Sequence, residues 1–149
     1  MLNFKIFNSS NPITDKERSE IIDFLHTHLD QFRDTKEAIG KAVSYALSES
    51  PGPGGFVLRG KLEDDIAGVV VINKTGMEGY IPENILVYIA VDKKFRGKGF
   101  GKELMNKAIE LAEGDVKLHV EHDNPARFLY QKLGFTNKYM EMRLIKNKK

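Results

Sequence analysis

The run Val87-Tyr-Ile-Ala-Val-Asp-Lys-Lys-Phe-Arg-Gly-Lys-Gly-Phe-Gly-Lys-Glu-Leu104 constrains the fold of this chain more than any other segment. An apolar stretch stops at Asp92, basic residues and three alternating glycines follow, and a helical pattern then begins. That order predicts a strand, a tight loop and a helix N-terminus whose backbone N–H groups converge on an anion. The aligned peptide dipoles favour negative charge at that end, and glycine lets the main chain approach without a Cβ in the way. A diphosphate fits such a loop.

Two other phosphate loops are excluded by the letters. A nucleoside-triphosphate loop needs Ser or Thr after its Gly-Lys, to hold magnesium, and Gly101-Lys102 is followed by Glu103. The dinucleotide fingerprint spaces its glycines G-x-G-x-x-G, whereas Gly97, Gly99 and Gly101 run G-x-G-x-G. The segment Arg96-Gly97-Lys98-Gly99-Phe100-Gly101 instead resembles the R/Q-x-x-G-x-G/A signature of the GNAT family of N-acetyltransferases. Two more segments match in order. The apolar run Ile85 to Val91 stands where that family has its acetyl-binding strand, and Asp123-Asn-Pro-Ala-Arg-Phe-Leu-Tyr-Gln-Lys-Leu-Gly-Phe135 resembles its second signature. The resemblance covers roughly Ile66 to Phe135 well and the amino-terminal part in outline.

A chain of 149 residues is about one domain, so a single N-acetyltransferase domain over residues 1–149 is expected. Hydrophobic residues make up 41% and charged residues 30%, the balance of a soluble globular protein. A net charge of +2 is too small to argue for a nucleic-acid or membrane partner. There is no cysteine, which removes disulfides, thiolate metal sites and a covalent cysteine intermediate. No apolar run is long enough to span a membrane, and Met1 to Phe7 is too short and polar for a secretory leader, so a cytoplasmic location is expected.

Along the chain, Leu2 to Phe7 alternates as a half-buried strand. Thr14 and Glu17 read as a capping box, opening a helix to about Gln31 that buries Ile21, Leu25, Leu29 and Phe32. A second helix is expected from Thr35 to Leu47 on Ile39, Val43 and Leu47, ended by the Pro-Gly loop at 50–55. Phe56 to Arg59 and Ile66 to Asn73 read as antiparallel strands, and a strand ending at Val91 follows Pro82. The glycine loop opens a helix to about Glu113, Val116 to Val120 forms the next strand, and Asn124-Pro125 starts a helix ending at Leu133-Gly134. Tyr139 to Ile145 is expected to close the sheet. The order β-α-α-β-β-β-α-β-α-β is that of the family. The resemblance therefore implies the α/β (α+β) GNAT fold: a mixed, mostly antiparallel sheet flanked by helices, with strands splayed at a cofactor cleft.

The resemblance also implies roles. Acetyl-CoA would be the co-substrate, its acetyl carbonyl and pantetheine arm held by the strand segment Ile89, Ala90 and Val91, through the backbone N–H of Ile89 or Val91. Backbone N–H groups of Arg96, Gly97, Lys98, Gly99, Phe100, Gly101 and Lys102 would take the diphosphate, with charge added by the Arg96 and Lys98 side chains. Tyr130 falls at the position of the thiolate-protonating tyrosine. Asn124 is either a helix cap or a cofactor contact. For a base, Glu83 shares strand parity with Ile89 if no bulge intervenes, and His119 lies on the opposite strand with Glu121 in its parity; a water chain is the third option.

Lysine-like ammonium groups, with a pKa near 10.4, are neutral only about once in a few thousand at pH 7, so some route for removing a proton is required. No metal is expected, since His26, His28 and His122 lack ligand-spaced partners. The resemblance further implies that the acceptor amine is read by the first two helices and the loops facing it, here 31–36, 50–55 and 74–83; this region contains Asp34, Glu37, Glu49, Glu78 and Glu83 but also Lys36, Lys41 and Lys74. Their mixed charge leaves small molecules and proteins open as acceptors. A homodimer is allowed. The rival reading from another class is a non-catalytic acyl-CoA sensor.

Overall fold

The computed structural model describes residues 1–146. The chain divides into two compact units, Met1–Leu118 and His119–Lys149. The first is built on a five-stranded sheet in which β1 (Asn3–Phe7), β2 (Gly55–Leu62), β3 (Asp65–Lys74), β4 (Asn84–Val91) and β5 (Val116–Leu118) lie in sequence order. The first three pairings are antiparallel and the last is parallel. Helices α1 (Asp15–His28) and α2 (Lys36–Ala46) connect β1 to β2, and α3 (Phe100–Leu111) connects β4 to β5. This is the mixed, mostly antiparallel sheet with flanking helices that the sequence led us to expect.

The start of α1 shows how local chemistry locks onto the sheet. The Thr14 hydroxyl accepts from the Glu17 N–H at 3.1 Å, and Glu17 accepts from the Thr14 N–H at 3.0 Å. The second Glu17 oxygen accepts from Lys5 on β1 at 2.9 Å and lies 3.5 Å from the guanidinium of buried Arg59 on β2. One carboxylate thus caps a helix and ties it to two strands. The Thr14 N–H, and after it Lys5, hold the Glu17 pKa down at about 2. Helix α1 stops at His28, three residues before the expected Gln31, and a 3-10 turn over Asp30–Phe32 follows. Asp30 takes a left-handed backbone, φ 57°, which a non-glycine residue adopts only against strain.

The two faces of the sheet are packed by different means. On one, Ile21, Phe24 and Leu25 of α1 and Ile39 and Val43 of α2 bury against Phe7, Val57, Val69, Val71, Tyr88 and Ala90. The other is dented. Gly60 and Gly68 are partners across β2 and β3, and Leu104 of α3 sits directly over both. A Cβ built on Gly68 would lie 2.2 Å from Leu104 Cδ1, so only the absence of side chains lets α3 approach this closely.

Two expected strands differ. β5 ends at Leu118 instead of Val120, because its pairing to β4 stops at Leu86 and Leu118. Tyr139 to Ile145 forms no strand: its period-2 pattern has no hydrogen-bonded partner, and Tyr139, Met140, Met142, Leu144 and Ile145 are exposed. Alternation specifies a strand only where a ladder receives it. In the second unit, α4 (Ala126–Lys132) begins beyond Asn124, whose side-chain oxygen accepts from the Ala126 N–H at 2.9 Å.

We expect Gly68→Ala to destabilise the protein by about 2 kcal/mol through overpacking. Combining it with Leu104→Ala should cost less than the sum of the single changes, read from denaturant midpoints. Glu17→Gln should cost about 2 kcal/mol near neutral pH. Because the folded pKa lies below the unfolded one, that stability is present above about 4.5 and is lost as pH falls toward about 2. Wild-type and variant melting temperatures should therefore converge in acid.

Candidate active site

Strand β4 has two neighbours at its start and one at its end. It pairs with β5 at Asn84, Ile85 and Leu86 only, but with β3 as far as Val91. The start is clamped: the buried Asn84 amide donates to the Glu113 and Asp115 carbonyls at 2.8 and 3.1 Å, and the Asn84 N–H also donates to Asp115. Beyond Leu86 this edge of β4 has no strand partner among the described residues. The Asp92 N–H donates to the Ala67 carbonyl of β3 at 2.8 Å. In an antiparallel ladder successive N–H groups alternate sides, so that of Ala90 also faces β3 and those of Ile89 and Val91 face the side that β5 has left. The Val91 carbonyl on that side accepts from Arg96 Nε at 3.0 Å.

The open edge leads into the glycine loop. Gly97 and Gly99 have φ of 81° and 84°, and a Cβ on either would meet nothing within 4 Å, so their conformation and not crowding calls for glycine. Gly99 is the N-cap of α3 and offers no side chain to its first turn. No N–H from Gly97 to Lys102 donates to another described residue; the first donors on either side are Arg96, bonded to Lys93, and Glu103, bonded to Gly99. Six consecutive free N–H groups at the positive end of a helix form a cradle for an anion. The Arg96 N–H expected among them is already used, and so is its side chain. Besides Val91, the guanidinium donates to the His28 carbonyl at 2.6 Å and to Asp30 Oδ2 at 2.9 Å. Arg96 is a brace between the glycine loop and the end of α1, and the Arg96 bond is the main cause of the lowered Asp30 pKa.

Residues 17–135 match the model of the acetyltransferase (GNAT) family. The chain belongs to that family. A stretch of 59 residues is 44% identical to the [ribosomal protein bS18]-alanine N-acetyltransferase of Haemophilus influenzae, covering 37% of this chain and 40% of that relative. Among solved structures, a GNAT family acetyltransferase of Streptococcus pneumoniae superposes with a TM-score of 0.67 at 17% identity over 99% of this chain and 100% of its own. A transcriptional regulator of Bacillus halodurans superposes with a TM-score of 0.71 at 15% identity over 97% and 99% of the two chains. These structural likenesses establish the fold.

Within this GNAT chain the remaining candidates fall in different surroundings. The pairing of β3 and β4 slips between Val71 and Ile72, so that Val87 is an extra residue. The slip breaks the parity that linked Glu83 to Ile89. Glu83 accepts from the Asp115 N–H at 2.7 Å, and this bond is the first cause of a lowered pKa. A carboxylate held that way is a poor match for proton removal near neutral pH. In the second unit, His119 is exposed and outside any strand. The Asn124 side-chain oxygen is engaged by the Ala126 N–H at the start of α4. Tyr130 is buried, with its ring 6.0 Å from that of Phe135. Its hydroxyl has no hydrogen-bond partner among the described residues, and burial pushes its pKa up to about 12. It stays protonated and able to donate.

Sequence reasoning passed over Tyr88. Its hydroxyl donates to Asp34 Oδ2 at 2.5 Å, and its pKa is raised by burial and then by that carboxylate. The available signal was one aromatic with a polar tip in an otherwise aliphatic run.

Gly99→Val tests the cradle. Its left-handed φ strains any branched residue, and the added side chain stands in the open space before the free N–H groups. Acetyl-CoA should raise the melting temperature of the wild type and scarcely move that of the variant. An equal rise in a folded variant would place the diphosphate elsewhere.

Proposed function

We propose that residues 1–149 act as one cytoplasmic N-acetyltransferase domain that moves the acetyl group of acetyl-CoA directly onto a primary amine. The observation that carries this reading is the continuity of two features: an unpaired strand edge offering the Ile89 and Val91 N–H groups, and six free N–H groups that follow it at Gly97–Lys102. The family match across residues 17–135 supports treating the chain as one functional domain, and no helix among the described residues is long and apolar enough to cross a membrane.

In this reading the diphosphate lies on the glycine loop and the pantetheine arm bonds along β4 like a substitute strand. The thioester oxygen takes a backbone N–H of β4, which stabilises the negative charge that develops as the amine attacks. The amine nitrogen forms its bond to the carbonyl carbon, the C–S bond breaks, and the sulfur leaves with the bonding pair. Tyr130 gives that thiolate its proton and is reprotonated from solvent, and the nitrogen's surplus proton leaves to water or a base. With Glu83 held by the Asp115 N–H, a water chain is the favoured route for that proton, and His119 and Glu83 are the side-chain alternatives. The same engagement of Glu83 favours, as a second reading, a non-catalytic acyl-CoA sensor.

Transfer assays separate the two. Tyr130→Phe keeps the ring packing and deletes the hydroxyl, so kcat should fall about tenfold to a hundredfold or more while the KM for acetyl-CoA hardly moves. With no cysteine in the chain, initial-rate plots should intersect, as for sequential transfer, and no acetylated enzyme should accumulate without an amine. A sensor would bind acetyl-CoA and acetylate nothing in a broad amine panel.

A further inference from the structure

Helices α1 and α2 lie on one face of the sheet and α3 on the other. The glycine loop opens α3, so the cofactor is expected from the α3 side, and the α1–α2 side is left for the acceptor. The segment between α1 and α2 is pinned there at two points. Arg96 holds Asp30, in its strained left-handed conformation, and the His28 carbonyl. Tyr88, buried on β4 directly before Ile89, holds Asp34. An exposed aspartate held by a buried tyrosine is fixed in direction. Its other oxygen makes no hydrogen bond or ion pair among the described residues.

The geometry points to the Asp34–Tyr88 pair as the subsite that reads a positive charge on the acceptor, distinct from the nitrogen that is acetylated. The distinction follows from electrostatics. A carboxylate beside the reacting ammonium would raise its pKa and shrink the neutral fraction that attacks. A carboxylate beside a cation that stays charged throughout the reaction aligns the acceptor without that penalty. The substrate class is thus an amine bearing a second, permanent cation, as in a diamine-like small molecule or a peptide with a basic side chain near its amino end. Tyr88 is the positioning residue. This assignment rests on the amine-transfer reading above.

The test uses two probes of near-equal shape, (4-aminobutyl)guanidine and (4-aminobutyl)urea, which differ in the charge at the far end. For the wild type, kcat/KM should favour the guanidine by about fivefold or more. Asp34→Asn should bring the ratio near one, and Tyr88→Phe should reduce it part-way, with the KM for acetyl-CoA unchanged in both. Melting temperatures in the presence of coenzyme A supply a readout that needs no turnover: the guanidine should stabilise the wild type more than the urea, and Asp34→Asn should erase that difference. No preference in the wild type, or a preference that survives Asp34→Asn, overturns the assignment. Transfer to both probes without charge preference sinks the subsite alone, whereas a charge-dependent shift with no acetylation of any amine sinks the transfer reading and, with it, the assignment of the pair to an acceptor.

Discussion

Three residue pairs, Asn84 to Leu86 against Val116 to Leu118, hold β5 to β4, and the strand edge on which the proposed site rests is left unpaired because the pairing stops there. A sheet normally completes its ladders, since unpaired backbone groups are costly away from water. Here the chain keeps the two strands together at one end with the Asn84 amide clamp and lets the other end open. The free N–H groups of Ile89 and Val91 are therefore a built feature of the backbone. They need no particular side chain, so an aliphatic strand such as Ile85 to Val91 can present them.

The brace at Arg96 gives the motif's first residue a meaning beyond its charge. Arg96 converts a sequence signature for anion binding into a joint that fixes the end of α1, the carbonyl at the end of β4 and the strained Asp30. Its three partners each take a bond from a different nitrogen of the planar fork, a geometry lysine does not reproduce. Arg96 keeps the free N–H groups of the glycine loop in register with the strand.

What could be read from the sequence was local. The capping box at Thr14 and Glu17, the α2 stripe and the glycine loop each rest on residues within a few positions of one another, and each appears where its pattern placed it. The misread strands were matters of pairing. Val116 to Val120 and Tyr139 to Ile145 have strand-like letters, but whether a strand forms depends on a partner, and no local pattern encodes one. The slip at Val87 is likewise a property of the β3–β4 ladder. It undid a parity argument for Glu83 that was sound within one strand. Asp34 was visible as a charge, but its fixing by Tyr88, 54 positions away, was not.

The glycine dent under Leu104 makes the two halves of this molecule unequal in their tolerance of change. On the α3 side the contact is between a side chain and bare main chain, and there is no smaller residue to which Gly60 or Gly68 could retreat. On the α1–α2 side the fit is between side chains, where losses of volume at one position can be made good at another. A lineage built on this scaffold is thus free to drift on the face assigned to the acceptor while the face that carries the glycine loop stays fixed. New acceptors would be acquired by repacking beneath α1 and α2, with the acyl donor kept constant by the backbone itself.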